Sequence, residues 1–531
     1  MSGNGALMVA PPFSPEYRAS GSLLHVTSLP SPYGVGDLGS SAFTWIDRLH
    51  DAGLASWQAL PLGPTGYGNS PYQSMSSFAG NALLISPGSL ISDGLIQASD
   101  AQFHFSADVV DYDSVIPFKQ RLLDKAWANF QGGERRNNQL RSAYDEFCAR
   151  QANWLEDYAL FRAPKAKYHN AYYLEWPAEL VQRSPSALAE ARRELASQID
   201  QVRFAQFLLF RQADQLKAHA HAKGVSLIGD LPFFVSADSS DVWANPELFL
   251  LDEQHRPRFV AGVPPDNFSA QGKLWGNPVY NWDAVRSTGY RWCIDRLRAL
   301  LAHVDVIRLD HFRGFAAAWH VPAGASTAQS GQWVAGPGAS FFQAVQTELG
   351  HLPFIAEDLG VITADVQALR DQFRLPGMHV LQFAFDGHAD NPYLPHNFVH
   401  NTVVYTGTHD NATTRQWYEE LPDYQRQNFW GYLKRAGTSA DAAPELMRLA
   451  WWSPAALAIA PLQDLLNLGS EARMNVPGRA DGNWRWRVRE DMLSSQAFQR
   501  LQDLTESSKR SVSPATSERE QVDRGRATAQ I

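Results

Sequence analysis

His303-Val304-Asp305-Val306-Ile307-Arg308-Leu309-Asp310-His311-Phe312-Arg313 is the stretch that decides the fold. Its first half alternates apolar and polar side chains and is rich in β-branched residues, the pattern of a short, largely buried strand. The strand then stops on an acid and a histidine, which packing alone does not require. The same transition recurs in Val225-Ser226-Leu227-Ile228-Gly229-Asp230, in Pro353-Phe354-Ile355-Ala356-Glu357-Asp358 and in Thr402-Val403-Val404-Tyr405-Thr406-Gly407-Thr408-His409-Asp410. Four strands therefore carry acids to one edge.

Outward from this stretch, apolar periodicity predicts further strands at 21–26, 55–60, 378–385, 401–406 and 456–460. Helices are predicted at 41–52, 202–223, 289–302, 340–349 and 363–373. Strands separated by helices pair in parallel through right-handed crossovers. About eight such units predict an α/β chain built as a closed (β/α)₈ TIM-type barrel with helical insertions, whose chemistry lies at the carboxyl ends of the strands. A doubly wound open sheet is the competing architecture. We divide the chain into an N-terminal extension (1–16) and a catalytic barrel (17–504), with a mainly helical inserted subdomain at 86–200. Residues 505–531, rich in Ser, Arg and Glu, read as a disordered tail.

Composition narrows the partners. A formal net charge of −9 over 531 residues provides no basic stripe for nucleic acid. Two cysteines, Cys148 and Cys293, cannot build a disulfide framework and suit a reducing compartment. No apolar stretch approaches the roughly 18 residues of a membrane span. The first ten residues lack the basic start of a secretory signal, so a cytoplasmic location is expected. The unusual feature is aromatic content, with 17 Trp and 17 Tyr. Such rings supply flat, amphipathic faces on which sugars stack.

The acids suggest glycoside chemistry. A retaining enzyme needs a carboxylate nucleophile and a carboxylic acid proton donor, roughly 5–5.5 Å apart across the scissile bond. Asp310 is the candidate nucleophile, and Arg308, two residues earlier on the same face, would favour its ionised form. Glu357 follows three apolar residues, where desolvation would keep it protonated for acid work. Asp410 would be a third carboxylate, stabilising oxocarbenium charge, and His311 and His409 would donate to hydroxyls. Each acid taken alone is as readily a strand-end cap. Asp230 before Leu231-Pro232 is equally a turn aspartate.

Longer motifs add a resemblance. Gly229-Asp230-Leu231-Pro232-Phe233-Phe234-Val235, Ser239-Ser240-Asp241-Val242-Trp243-Ala244-Asn245-Pro246, Leu274-Trp275-Gly276-Asn277-Pro278 and Ala356-Glu357-Asp358-Leu359-Gly360 resemble the amylomaltase (4-α-glucanotransferase) family, relatives of the α-amylases. So do Ile307–Gly314, Tyr405–Asn411, Ser28–Gly39 and Ser70-Pro71-Tyr72, so that the likeness spans roughly residues 17 to 490. The resemblance implies a barrel that transfers α-1,4-glucan segments with retention, on maltooligosaccharides or fragments of starch or glycogen, without metal or cofactor. It implies Asp310 as nucleophile, Glu357 as acid/base and Asp410 as transition-state stabiliser. Asp230, Arg308, His311 and His409 would complete the sugar site, Tyr72 and Trp275 would stack or close over it, and Asn475 would be a further glucan contact.

Other readings stay open on sequence alone. Gly34-Val35-Gly36-Asp37-Leu38-Gly39 has the spacing of a dinucleotide loop, although Pro30 and Pro32 separate it from its strand. Asp310-His311 and His409-Asp410 are metal-capable pairs, but Arg308 would oppose a cation. A non-catalytic glucan-binding protein would not need Asp310 and Glu357. An α-1,4-glucan hydrolase could use the same three acids.

Overall fold

The computed structural model describes residues 12–132, 138–265 and 269–511. At its centre eight parallel strands close into a barrel in sequential order. They are β1 (Ala19–Leu23), β2 (Ser56–Gln58), β3 (Ser226–Leu231), β4 (Val306–Leu309), β5 (Phe354–Ala356), β6 (Gly377–Val380), β7 (Thr402–Tyr405) and β8 (Leu457–Pro461). β1 pairs with both β2 and β8, so the sheet has no edge and the open doubly wound alternative is removed. The later strands are mostly apolar on both faces, with Ile307, Phe354, Ile355, Val403, Val404 and Ile459 fully buried, whereas β1 and β2 also bury Ser20, Ser22, Ser56 and Gln58. Each such apolar side chain contributes about 1.5–3 kcal/mol relative to exposure.

Helices cover the outside. Ser40–Asp51 buries Ala42, Trp45, Ile46 and Leu49, the three-and-four spacing of one helical face. It ends where Gly53 takes φ +74°, a left-handed turn that a side chain would strain. Between β2 and β3 lies a helical region, Tyr112–Gly132, Asn138–Lys167, Pro185–Glu194 and Ala196–Ala222, whose last helix runs straight through the boundary expected at 200. Aromatic contacts bind it together, including Phe130 on Phe204 (4.5 Å) and Trp154 on Phe210 (5.5 Å). Three further helices, Thr414–Glu420, Asp423–Leu433 and Ser439–Trp452, fill the connection from β7 to β8. Among the described residues no helix is long and apolar enough to cross a membrane.

Three expectations change. A four-stranded antiparallel sheet, ordered Lys273–Pro278, Phe259–Val263, Ala317–Pro322 and Gln332–Ala335, grows from the connections around β4 and was not anticipated. The strand predicted at 378–385 ends at Val380 and turns into a 3₁₀ segment, Leu381–Phe383. Gln382 there donates to the Ala412 carbonyl (2.9 Å), tying the chain inward.

The tail predicted to start at 505 starts too early; of it, residues 512–531 lie outside the described residues, as do residues 1–11 of the N-terminal extension. The last helix runs Ser495–Ser507, and Arg510 beyond it is fully buried. Its guanidinium donates to the carbonyls of Trp451, Ala19, Ser453 and Ala455 at 2.6–2.9 Å, clasping the segments that enter β1 and β8. Burial, with Arg18 adding to it, pushes this guanidinium down to about 9. We expect Arg510→Ala to strand these carbonyls and cost about 3 kcal/mol or more in urea unfolding, with donor KM unchanged.

Candidate active site

Strand register builds the site. Asp230 of β3 lies directly beside Arg308 of β4, and Leu309 beside Ala356 of β5. The next residues along, Asp310 and Glu357, therefore emerge together at the carboxyl mouth of the barrel. Backbone bonds carry the ladder that far: Asp310 N donates to the Leu231 carbonyl (3.0 Å) and Glu357 N to the Leu309 carbonyl (3.0 Å).

One nitrogen organises the acids. Arg308 Nη1 donates to Asp230 Oδ1 and Oδ2 (2.8 and 2.9 Å) and to Asp310 Oδ1 (2.9 Å). The side chain of Asp230 is wholly buried, so the turn-aspartate alternative fails. Burial pushes the Asp230 carboxyl up, and Arg308 opposes it. The two acids in turn hold Arg308 firmly protonated against the same burial. Tyr72 donates its hydroxyl to Asp230 Oδ2 (2.7 Å) and stacks its ring on His409 at 5.0 Å. Tyr72 is thus a hydrogen-bonding wall of the site with one face already covered.

Glu357 sits differently. Burial pushes its carboxyl up to about 8; Arg308 works against that shift and Asp310 adds to it. Its Oε2 accepts from the backbone N–H of His311 (2.7 Å). His311 reaches that position with φ +51°, a left-handed conformation that costs a non-glycine residue energy and that recurs at functional sites. The imidazole packs edge-on against Trp275 (4.8 Å), with Phe233 and Phe234 behind it. Burial lowers it to about 4, so it is neutral at pH 7, and its Nε2 is buried without a protein partner. Trp275 itself remains part exposed.

Asp410 lies in the middle of the short loop between Tyr405 and Thr414, its side chain half exposed at the mouth. Asn475 Nδ2 donates to its Oδ1 (2.6 Å), and His409 Nε2 lies 3.3 Å from the same oxygen. Burial acts to raise this carboxyl, but His409, the Asn475 bond and Arg308 outweigh it and hold it below the usual range.

All ten residues singled out from the sequence thus fall at one mouth. Two were missed. Arg473 Nε donates to the Asn475 carbonyl (2.9 Å) and Nη2 to that of Asp410 (3.2 Å), and its place two residues before Asn475 was a usable signal. Trp484 closes over Tyr72 and His409 with ring centres 5.9 and 6.0 Å away, and no local pattern marked it.

The Gly34–Gly39 run serves packing: a Cβ on Gly36 would lie 2.0 Å from the Val26 carbonyl. Its Asp37 lies 3.6 Å from buried Lys119. Among the described residues no group of three or more His, Cys, Asp or Glu could hold a metal ion.

A parallel eight-stranded barrel with acids from four strands at its carboxyl mouth has the architecture of a (β/α)₈ enzyme and holds the pair of acids that glycoside chemistry requires. Comparison with known proteins then narrows the class. A family model described as 4-alpha-glucanotransferase matches residues 24–494, and the chain belongs to this family of retaining transferases. It is 48% identical over 498 residues to the 4-alpha-glucanotransferase of Synechocystis sp., covering 92% of this chain and 98% of that protein. It is also 48% identical over 499 residues to that of Thermus thermophilus, covering 93% and 99%. Among solved structures, the Streptococcus agalactiae amylomaltase in complex with acarbose superposes with a TM-score of 0.90 at 36% identity, covering 93% of this chain and all of that one.

Proposed function

We propose that this chain moves α-1,4-glucan segments from a donor maltodextrin to the 4-hydroxyl of an acceptor glucan or glucose, with Asp310, Glu357 and Asp410 as its catalytic residues. The observation that carries the assignment is the contrast between neighbouring strand ends. Asp310 is paired with Arg308, whereas Glu357 is pushed up to about 8 and stays protonated at neutral pH. Asp310 attacks the anomeric carbon as the glycosidic C–O bond breaks, and Glu357 gives its proton to the departing oxygen. The Glu357 carboxylate then takes the proton of the acceptor hydroxyl, whose oxygen displaces Asp310. Both steps invert the anomeric carbon, so the product retains its configuration.

The remaining groups hold the ring. Asp230, Arg308, His311 and His409 complete the sugar site beside the cleaved bond, with the buried Asp230 acting from behind Arg308 and Tyr72, and the unpartnered Nε2 of His311 suits a hydroxyl. Asp410, kept ionised, stabilises positive charge on the ring. Tyr72, Trp275 and Asn475 shape the walls, where excluding water favours transfer over hydrolysis. We place the reaction in the cytosol, where the free thiols Cys148 and Cys293 remain reduced.

The test is incubation with maltotriose and separation of products by size, with and without chelator. A ladder of longer oligosaccharides plus glucose, indifferent to chelator and absent in Asp310→Ala, supports the reading. Shortening to maltose and glucose without longer products would identify a hydrolase. The pH profile adds a second check. Glycosylation uses protonated Glu357 and ionised Asp410, so single-turnover rates are expected to hold on the acid side of about 8 and fall as pH rises through it. Glu357→Gln should remove that alkaline limb.

A further inference from the structure

Asp464 lies in Leu462–Leu465, directly after β8, with its side chain buried and no ion pair among the described residues. Its Oδ2 accepts from the hydroxyls of Thr406 and Thr414 (2.6 Å each), and its Oδ1 accepts from the Thr414 backbone N–H (2.7 Å). Thr406 follows the end of β7 and Thr414 opens the next helix, so one carboxylate holds both ends of the loop that carries His409 and Asp410. Inside the loop, Asn411 closes on Thr408 through its Oδ1, and Thr408 Oγ1 accepts from the Asp410 N–H (3.3 Å). The loop is a closed frame whose two feet share one acceptor.

Burying a carboxylate without a cation is costly, and an apolar residue of similar size serves packing better. Three donors converging on one side chain indicate a different purpose. We infer that Asp464 is a positioning residue that fixes Asp410 and His409 against the sugar site by pinning Thr406 and Thr414; this rests on the role given to Asp410 above. The carboxylate touches no reacting atom. Its effect passes through the span of the loop, where a displacement of about 1 Å costs on the order of 10²-fold in rate.

The experiment compares Asp464→Ala, Asp464→Asn and Thr414→Val with wild type in maltotriose turnover, thermal unfolding and crystal structure. Asn offers a carbonyl oxygen to the Thr414 N–H and an NH₂ to two hydroxyls that can rotate to accept it, so it keeps the frame. Thr438→Ala is the control, because it removes the capping box of Ser439–Trp452 in the same connection, away from the loop. Expected are a roughly 30–100-fold loss of kcat in Asp464→Ala with KM nearly unchanged, a smaller loss in Thr414→Val, and recovery to within about tenfold of wild type in Asp464→Asn. Thr438→Ala should lose stability and keep kcat. Three results overturn the proposal: an alanine variant no slower than the control, an asparagine variant as slow as alanine, or an alanine structure in which Asp410 still meets Asn475. That last readout stands even if wild type transfers no glucan, which would instead sink the proposed function. Should Asp464→Ala not fold, a folded Thr414→Val at wild-type kcat overturns it equally.

Discussion

Asp310→Asn is expected to lower kcat for maltotriose disproportionation by on the order of 10⁴-fold, about 5.4 kcal/mol of transition-state stabilisation, with a thermal midpoint near that of wild type. The loss follows from chemistry, since an amide cannot supply the oxygen that forms the glycosyl ester. Stability survives because Arg308 keeps both bonds to Asp230, and because Asp310 is the more exposed of the two acids. Glu357→Gln should be comparably slow on maltotriose yet separable from it. A maltosyl fluoride needs no proton on its leaving group, so this variant should form the glycosyl-enzyme quickly and then stall, lacking a base for the acceptor. Mass spectrometry of the stalled protein should place the sugar on Asp310. A sugar found on Asp230 or Asp410, or an Asp310→Asn enzyme within tenfold of wild type, would show the roles to be misassigned.

Several barrel strands were legible because they are buried on both faces and so read as unbroken apolar runs, as in Val403-Val404-Tyr405 or Phe354-Ile355-Ala356. The side sheet was not, since Lys273-Leu274-Trp275-Gly276 is exposed and no core face imposes a period on it. The same limit applies to polar groups. The apolar residues before Glu357 announced its desolvation locally, and Asp310 lay two residues from its arginine. Asp230 was ambiguous because its partner, Arg308, is 78 residues away and becomes a neighbour only through the pairing of β3 with β4. Asp464 meets Thr406 and Thr414 across 58 and 50 residues. Arg510 looked like part of a solvated tail because its partners are main-chain carbonyls, which no sequence pattern displays.

Arg308→Leu is the second large effect, and it separates stability from catalysis. The variant leaves Asp230 buried without its cation, a loss of about 3–5 kcal/mol in folding free energy, and leaves Asp310 without its orienting bond, with kcat falling by at least about 10³-fold. Adding Asp230→Asn removes the stranded charge, so the double variant should regain most of the stability and none of the rate. That non-additivity measures the coupling of the pair. The sign of the pH dependence follows from burial, which already pushes Asp230 up while Arg308 pulls it down. Without the arginine, the folded state binds a proton that the unfolded chain has released, across the window above the ordinary aspartate range. Stability of Arg308→Leu should therefore be greater at pH 5 and fall toward pH 7, where Asp230 must either ionise unpaired or hold its proton against solvent pH. Urea unfolding at the two pH values decides the matter. An equal deficit at both, or a double variant no more stable than Arg308→Leu alone, would mean that Arg308 acts through packing and not as the counter-charge of Asp230.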